Sequence, residues 1–222
     1  MTDGKDLAEM CVSYGQDLGA DYVEARFVEQ YARGLAYRNG QPISGGMEPS
    51  SGIGVRVLVN GGIGFASFDR LERDLAKTAI STAFKMAKNS QREEPIDFGE
   101  PVSNTADWSV ELRTRLRDID MDTLMETADM LNKQMEGLAQ YTLLFNPKEM
   151  EKYIVTSEGS QISGTLSYLD IFVLLTAKGK HGSEQRMIDF TQAGGWERLD
   201  EGNVVENLAD EVARLKETTD KA

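Results

Sequence analysis

What is scarce in this chain narrows its chemistry before any pattern is considered. One cysteine in 222 residues excludes an intrachain disulfide and suits a reducing compartment. There is one histidine, His181, and a catalytic zinc needs about three protein ligands plus a position for water. No Glu flanks it and no second His exists, so His181 is expected to be a solvated loop residue. Basic residues are outnumbered, 24 against 37 acidic ones, giving a formal charge of −13. That is the wrong sign for a surface that neutralises phosphates, so no direct nucleic-acid binding is expected. No apolar run approaches the roughly 20 residues of a membrane span, and the start, Met1-Thr2-Asp3-Gly4-Lys5-Asp6, is too polar for a signal peptide. These absences predict a soluble, cytoplasmic protein with no membrane role.

Glycine, by contrast, is plentiful, at 21 residues, and five of these glycines organise the stretch from Gly52 to Asp69. Val55, Val57 and Val59 alternate with Arg56, Leu58 and Asn60, the period of a half-buried strand. Gly61-Gly62 is then expected to turn the chain, because glycine accepts positive φ without steric cost. Ile63, Phe65 and Phe68 carry the returning strand, and Asp69 is placed to cap a following helix. The glycines fit neither G-x-G-x-x-G nor G-x-x-x-x-G-K-[ST], and they bracket a hairpin rather than open a phosphate-facing helix.

Around this hairpin the spacing predicts a helix over about 4–19, with Leu7, Met10, Cys11, Tyr14 and Leu18 on one face and Gly19 ending it. Cys11 on that stripe is a core candidate rather than a nucleophile. Strands are expected at 22–28, 34–38 and 41–47, with Asn39-Gly40 as a hairpin turn. A helix over about 70–88 buries Leu71, Leu75, Ala79, Thr82 and Met86. Residues 91–117 are polar and proline-bearing, as in a linker, with Trp108 expected to pin it onto its own chain. A second unit then opens on the stripe Met121, Leu124, Ala128, Leu131, Met135 and Leu138. Strands at about 140–146, 150–157, 160–176 and 184–192 follow. A helix over about 203–218 closes the chain, with Asn203 and Glu206 at capping-box spacing.

The order helix, strands, helix thus occurs twice. Gly40-Gln41-Pro42-Ile43-Ser44-Gly45 and Gly159-Ser160-Gln161-Ile162-Ser163-Gly164 match without a gap, and Ala20-Asp21-Tyr22 and Ala139-Gln140-Tyr141 precede them at equal distances. Internal duplication and coincidence are both open. The fold class is α+β: two modules, residues 1–90 and 118–222, each a largely antiparallel sheet packed against helices.

Few constellations promise chemistry. Asp118, Asp120 and Asp122 copy the first ligands of a calcium loop, but Thr123 stands where the sharp turn needs glycine. Helix N-terminal carboxylates explain them better. Arg56 stands in an apolar strand and must be paired or exposed at one face. A structural ion pair across the sheet is the reading the residues themselves give. No G-x-S-x-G elbow accompanies the single histidine.

The words of the central stretch, Gly54-Val55-Arg56-Val57, Gly61 and Gly64-Phe65-Ala66-Ser67, together with Gly19-Ala20-Asp21-Tyr22-Val23-Glu24-Ala25-Arg26, resemble the TldD/PmbA family, also called modulators of DNA gyrase. The resemblance implies an N-terminal and a central domain of a zinc metallopeptidase acting on unfolded or small peptides, working as a dimer. It also implies that the His-Glu-x-x-x-His zinc motif belongs to a C-terminal domain that this chain lacks. Gly54, Arg56, Gly61, Gly64, Phe65 and Ser67 would then be structural or would line a peptide cleft, with no catalytic, cofactor or metal residue among them. The competing expectation is a non-catalytic peptide-binding or assembly module, PmbA-like or free-standing.

Overall fold

The computed structural model describes residues 3–47, 49–90, 93–100, 103–180 and 182–221, and the chain folds as an α+β protein. A first series runs helix α1 (Gly4–Asp17), strands β1 (Tyr22–Arg38), β2 (Gln41–Met47), β3 (Ser50–Val59) and β4 (Gly62–Phe68), and helix α2 (Arg73–Asn89). Strand β5 (Thr105–Ser109) lies in the polar connection expected to be a linker. The second series runs helix α3 (Met121–Gln134), strands β6 (Gln140–Phe145), β7 (Lys148–Thr156), β8 (Gln161–Leu169), β9 (Ile171–Lys178), β10 (Ser183–Asp189) and β11 (Gln192–Ala193), and helices α4 (Arg198–Glu201) and α5 (Val204–Lys221). Among the described residues no helix is long and apolar enough to cross a membrane.

Local chemistry sets the element ends. Asp3 caps α1 by accepting from the Lys5 N–H at 3.1 Å, and Gly19, at φ +86°, stops it. Asp120 caps α3 through the Thr123 N–H at 2.7 Å. Asn39-Gly40 turns β1 into β2 with both φ values positive, the backbone of a type I′ turn. The β3–β4 turn is Asn60-Gly61, not Gly61-Gly62: the positive φ values fall on Asn60 and Gly61, while Gly62 pairs with Val59. Two expected caps are corrected. Helix α2 begins at Arg73 after Glu72, so Asp69 does not cap it, and the Asn203 side chain makes no hydrogen bond among the described residues as α5 starts.

The chain divides into two compact units that interleave along the sequence: residues 1–30, 50–109 and 150–165 form one, and 31–49, 110–149 and 166–222 the other. The strands expected at 22–28 and 34–38 are one continuous β1, whose first half belongs to the first unit and second half to the second.

In the first unit the strand order is β4-β3-β1-β7-β8-β5. Register runs antiparallel from Tyr22↔Leu58 to Gln30↔Ser50 and from Ile53↔Phe68 to Val59↔Gly62, while β5 lies parallel to β8. Helices α1 and α2 cover one face, where Leu7, Cys11, Val23, Ala25, Ile53, Val55, Val57 and Ile80 form the core. The buried stripe of α2 is Ala76, Ala79, Ile80, Ala83 and Ala87, whereas Thr82 and Met86, expected inside, are exposed. The cause is close approach. A Cβ on Gly64 would lie 1.9 Å from the Ala83 carbonyl oxygen, so α2 meets β4 where only small side chains fit. Trp108 does pin the connection: its indole lies over Gly164, its register partner on β8.

In the second unit the order is β10-β9-β6-β1-β2. Register runs from Leu35↔Phe145 to Arg38↔Thr142, and from Gln140↔Thr176 to Phe145↔Ile171. Leu124 and Leu131 from α3, Met135 just after it, and Leu208 and Leu215 from α5 bury Phe145, Leu143, Val173 and Leu175. Here the strand expected over 160–176 breaks at Asp170, whose carbonyl accepts from the Asn146 N–H at 2.7 Å.

The two series correspond element by element at the separation of Gly40 from Gly159. Helix α1 answers to α3, β1 to β6 with β7, β2 to β8, β3 to β9 and β4 to β10. Strand β1 stays whole where its counterpart breaks, because Phe27-Val28 stands where the second series has Asn146-Pro147, and proline cannot donate to a ladder. Each unit is built from the β1-, β3- and β4-type strands of one series plus the returning hairpin of the other. This arrangement supports duplication over coincidence.

Gly64→Ala is expected to destabilise the protein by about 2 kcal/mol or more, as overpacking against backbone does. Gly46→Ala, with nothing near its Cβ and no positive φ, serves as the comparison. Denaturant midpoints measure both, and equal shifts would contradict the packing assigned to Gly64.

Candidate functional site

Alternation along β3 sends Val55 and Val57 into the core and leaves Gly54 and Arg56 on the opposite face. Register then places Arg56 between Glu24 on β1 and Phe65 on β4, and Gly54 between Arg26 and Ser67. Glu24 is the centre of this face. Its side chain is only 10% exposed, and an ionised carboxylate at such a place needs partners. It accepts from Arg26 Nε at 2.6 Å and Nη2 at 3.1 Å and from the Tyr22 hydroxyl at 3.2 Å, with Arg56 Nη1 at 3.6 Å. Desolvation, and then the negative charge of Glu24, push the Tyr22 phenol up to about 12. Both guanidinium groups keep solvent-facing edges, at 51% and 39% exposure.

Phe65 completes the face at 55% exposure, its ring edge 3.2 Å from where a Gly54 Cβ would be. Together Glu24, Arg26, Arg56, Phe65, Ser67 and Asp69 help line a cleft of about 660 Å³. Four of the six signature residues therefore meet at one place. The other two do not: Gly61 turns the hairpin at φ +72° beneath Pro95, and Gly64 faces α2. Arg56 makes the cross-sheet ion pair and also lines the cleft. Glu24 and Arg26 carried a sequence signal only as the polar side of an alternating strand. Their joint role depends on register with Arg56.

A second buried carboxylate left no pattern to find. Glu149, fully buried in the second unit, accepts from Arg115 Nη2 at 3.0 Å, Arg117 Nε at 2.9 Å and the Arg117 N–H at 3.0 Å. Its partners come from the polar connection, where nothing in periodicity marks them.

The donor set for a metal does not assemble among the described residues, where no group of three or more His, Cys, Asp or Glu comes together. Glu24 and Glu149 are committed to arginines. Cys11 is buried in the core of the first unit, with burial pushing its thiol up to about 12. Asp120 serves as a helix cap, its carboxyl held below the usual range by the Thr123 N–H, and Asp122 lies in the first turn of the same helix. His181 lies outside the described residues. No step through zinc follows from these groups.

Cys11 and Tyr22 are acids held neutral by the fold, so the folded chain keeps protons that the unfolded chain releases. The contribution of these two groups is expected to be undiminished below about pH 9 and to be lost as pH rises from the ordinary values of 9.0 and 10.0 toward about 12. In Glu24→Gln, tyrosinate absorbance should show the Tyr22 titration moving down from about 12 toward 10.0. An unchanged titration would contradict the contact.

Comparison with known proteins follows the same face. The sequence profile of PmbA/TldA metallopeptidase domain 1 matches residues 23–87, the segment that supplies the cleft. No curated protein matches the sequence. Among solved structures, a Thermotoga maritima protein described as a modulator of DNA gyrase aligns over 98% of this chain and 48% of its own at 14% identity, with a TM-score of 0.73. TldE from Thermococcus kodakarensis aligns over 93% and 47% at 17% identity and 0.69. A Bacteroides thetaiotaomicron protein, also described as a modulator of DNA gyrase, aligns over 87% and 46% at 15% identity and 0.72. The chain spans about half the length of these three structures and shares their fold. Residues 23–87 thus match the first domain of the PmbA/TldA metallopeptidase family.

Proposed function

We propose that this chain is the part of a PmbA/TldD-type peptidase that shapes a cleft for unfolded or small peptides, with the zinc and its catalytic glutamate carried on a further domain. The observation that carries this reading is the convergence of Gly54, Arg56, Phe65 and Ser67 around the Glu24-centred cluster in one cleft. Glu24 holds two guanidinium groups in fixed positions, and their outer edges suit peptide carbonyls or a terminal carboxylate. Phe65 offers a flat apolar wall, and the missing side chain at Gly54 leaves it room. Fixing these groups before a peptide arrives lowers the ordering cost of binding. The chain by itself would be inactive and would act in a homo- or heterodimer.

A second reading, a non-catalytic peptide-binding or assembly module, is favoured by one observation. Strand β4 pairs only with β3 among the described residues, and such an edge can accept an extended segment.

Intact mass and zinc content of the protein from its native cells separate the two. About twice the mass of these 222 residues, with stoichiometric zinc and a peptidase activity lost on chelation, is the outcome the first reading predicts. The mass of these residues alone, without zinc or activity, would leave the second. In the active whole protein, Arg56→Ala should raise KM for peptides about tenfold with kcat within about twofold, as loss of uniform binding does. Unchanged KM would remove Arg56 from the cleft's work.

A further inference from the structure

Equivalent strands of the two series end the two sheets differently. Strand β8 in the first unit carries Ile162-Ser163-Gly164, and β2 in the second carries Ile43-Ser44-Gly45. Each follows a turn glycine at positive φ, Gly159 at +93° and Gly40 at +74°. On β8 the outer edge is taken by β5, lying parallel, with Asp107 opposite Ser163 and Trp108 opposite Gly164. The Ser163 hydroxyl donates to Asp107 Oδ1 at 2.9 Å. The indole of Trp108 covers Gly164 so closely that a Cβ there would lie 2.2 Å from Cε2. Gly164 is buried as a result.

On β2 the same tripeptide is bare. Among the described residues β2 pairs only with β1, and all seven of its residues are exposed. The Ser44 hydroxyl makes no hydrogen bond among them. Only Leu35 Cδ2 and the Gly34 carbonyl oxygen lie near the position of a Gly45 Cβ. Met47, two residues on and so on the same face, is 54% exposed, and Ile43, at the bulge beside it, is 53% exposed. Open edges are ordinarily guarded by charges or inward-pointing polar groups, yet Gln41–Met47 contains no charged residue. Its one proline, Pro42, lies before the tripeptide.

We infer that the β2 edge is a docking strand for an extended peptide lying parallel to it, as β5 lies on β8. The peptide presents a hydrogen-bond acceptor opposite Ser44 and, on the next residue, an aromatic ring that rests on Gly45 beside Met47. The ligand class is a linear segment with an Asp–aromatic pair, the chemistry that the equivalent edge already holds. This site lies wholly in the second unit and is independent of the Arg56 cleft.

The test is fluorescence anisotropy with a labelled synthetic peptide copying residues 103–111, titrated with the 222-residue chain. Saturable binding is expected, weakened about tenfold or more when the probe's tryptophan is alanine, since one buried aromatic contact is worth at least about 1.4 kcal/mol. Ile43→Lys with Met47→Lys should abolish binding while circular dichroism and the melting transition stay unchanged, both side chains being exposed. No binding up to about 1 mM would overturn the proposal. Binding that survives the two lysines would also overturn it, since the probe would then be exchanging with β5 on β8. A concentration-dependent dimer in sedimentation, abolished by the same lysines, would assign the edge to a second copy and overturn the peptide as its occupant.

Discussion

The constraint on which the rest of this structure depends is the uninterrupted antiparallel run of β1. Its first half lies between β3 and β7 and its second half between β6 and β2. Seventeen residues are long for a strand, where about 5–6 is usual, and the length has a local cause. The corresponding stretch of the second series carries Asn146-Pro147 and splits in two, whereas β1 passes the same point on Phe27-Val28. Because β1 does not stop, its second half, with β2, enters a sheet whose other strands belong to the second series. The hairpin of β7 and β8 likewise completes the sheet of the first unit. Neither core, then, is assembled from consecutive sequence.

Register along β1 also makes the candidate site. Glu24 and Arg56 are far apart in sequence and face each other only because Tyr22 pairs with Leu58. A carboxylate so little exposed costs several kcal/mol in isolation, and removing one partner of a buried ion pair costs about 3–5 kcal/mol. The three donors around Glu24 offset that cost and hold the guanidinium edges toward the cleft. On the proposed function, stability and recognition are therefore requirements on the same few atoms. Glu149 with Arg115 and Arg117 solves the same physical problem in the second unit, where it ties the polar connection to β7.

What was legible in the sequence was what local chemistry decides. Asn39-Gly40, Gly19 and the leucine stripe of α3 each carry their own signal, and the signature stretch marked a hairpin and a family. The β3–β4 turn was displaced by one residue because Asn60-Gly61-Gly62 offers two candidate pairs, and only register distinguishes them. The buried face of α2 was missed because it is alanine, chosen for closeness to β4 rather than for hydrophobicity. Polar residues at Glu29-Gln30 hid the continuity of β1, and the break at Asp170 has no glycine or proline beside it to announce it. Tyr22, Glu24 and Arg26 showed only as one side of an alternating strand, and what joins Arg56 to Glu24, or Arg115 and Arg117 to Glu149, is strand pairing or a long connection that leaves no local pattern.

The interleaving of the two series is tested most directly by cutting the chain in its connection. Residues 1–117 and 118–222 would be expressed separately and followed by circular dichroism and amide exchange, apart and mixed. The account predicts that neither fragment alone shows a cooperative melt or protected β1 amides, because each sheet lacks strands supplied by the other fragment. Mixing should restore both signals with saturable stoichiometry. A fragment 1–117 that folds by itself, with β1 protected along its full length, would contradict it.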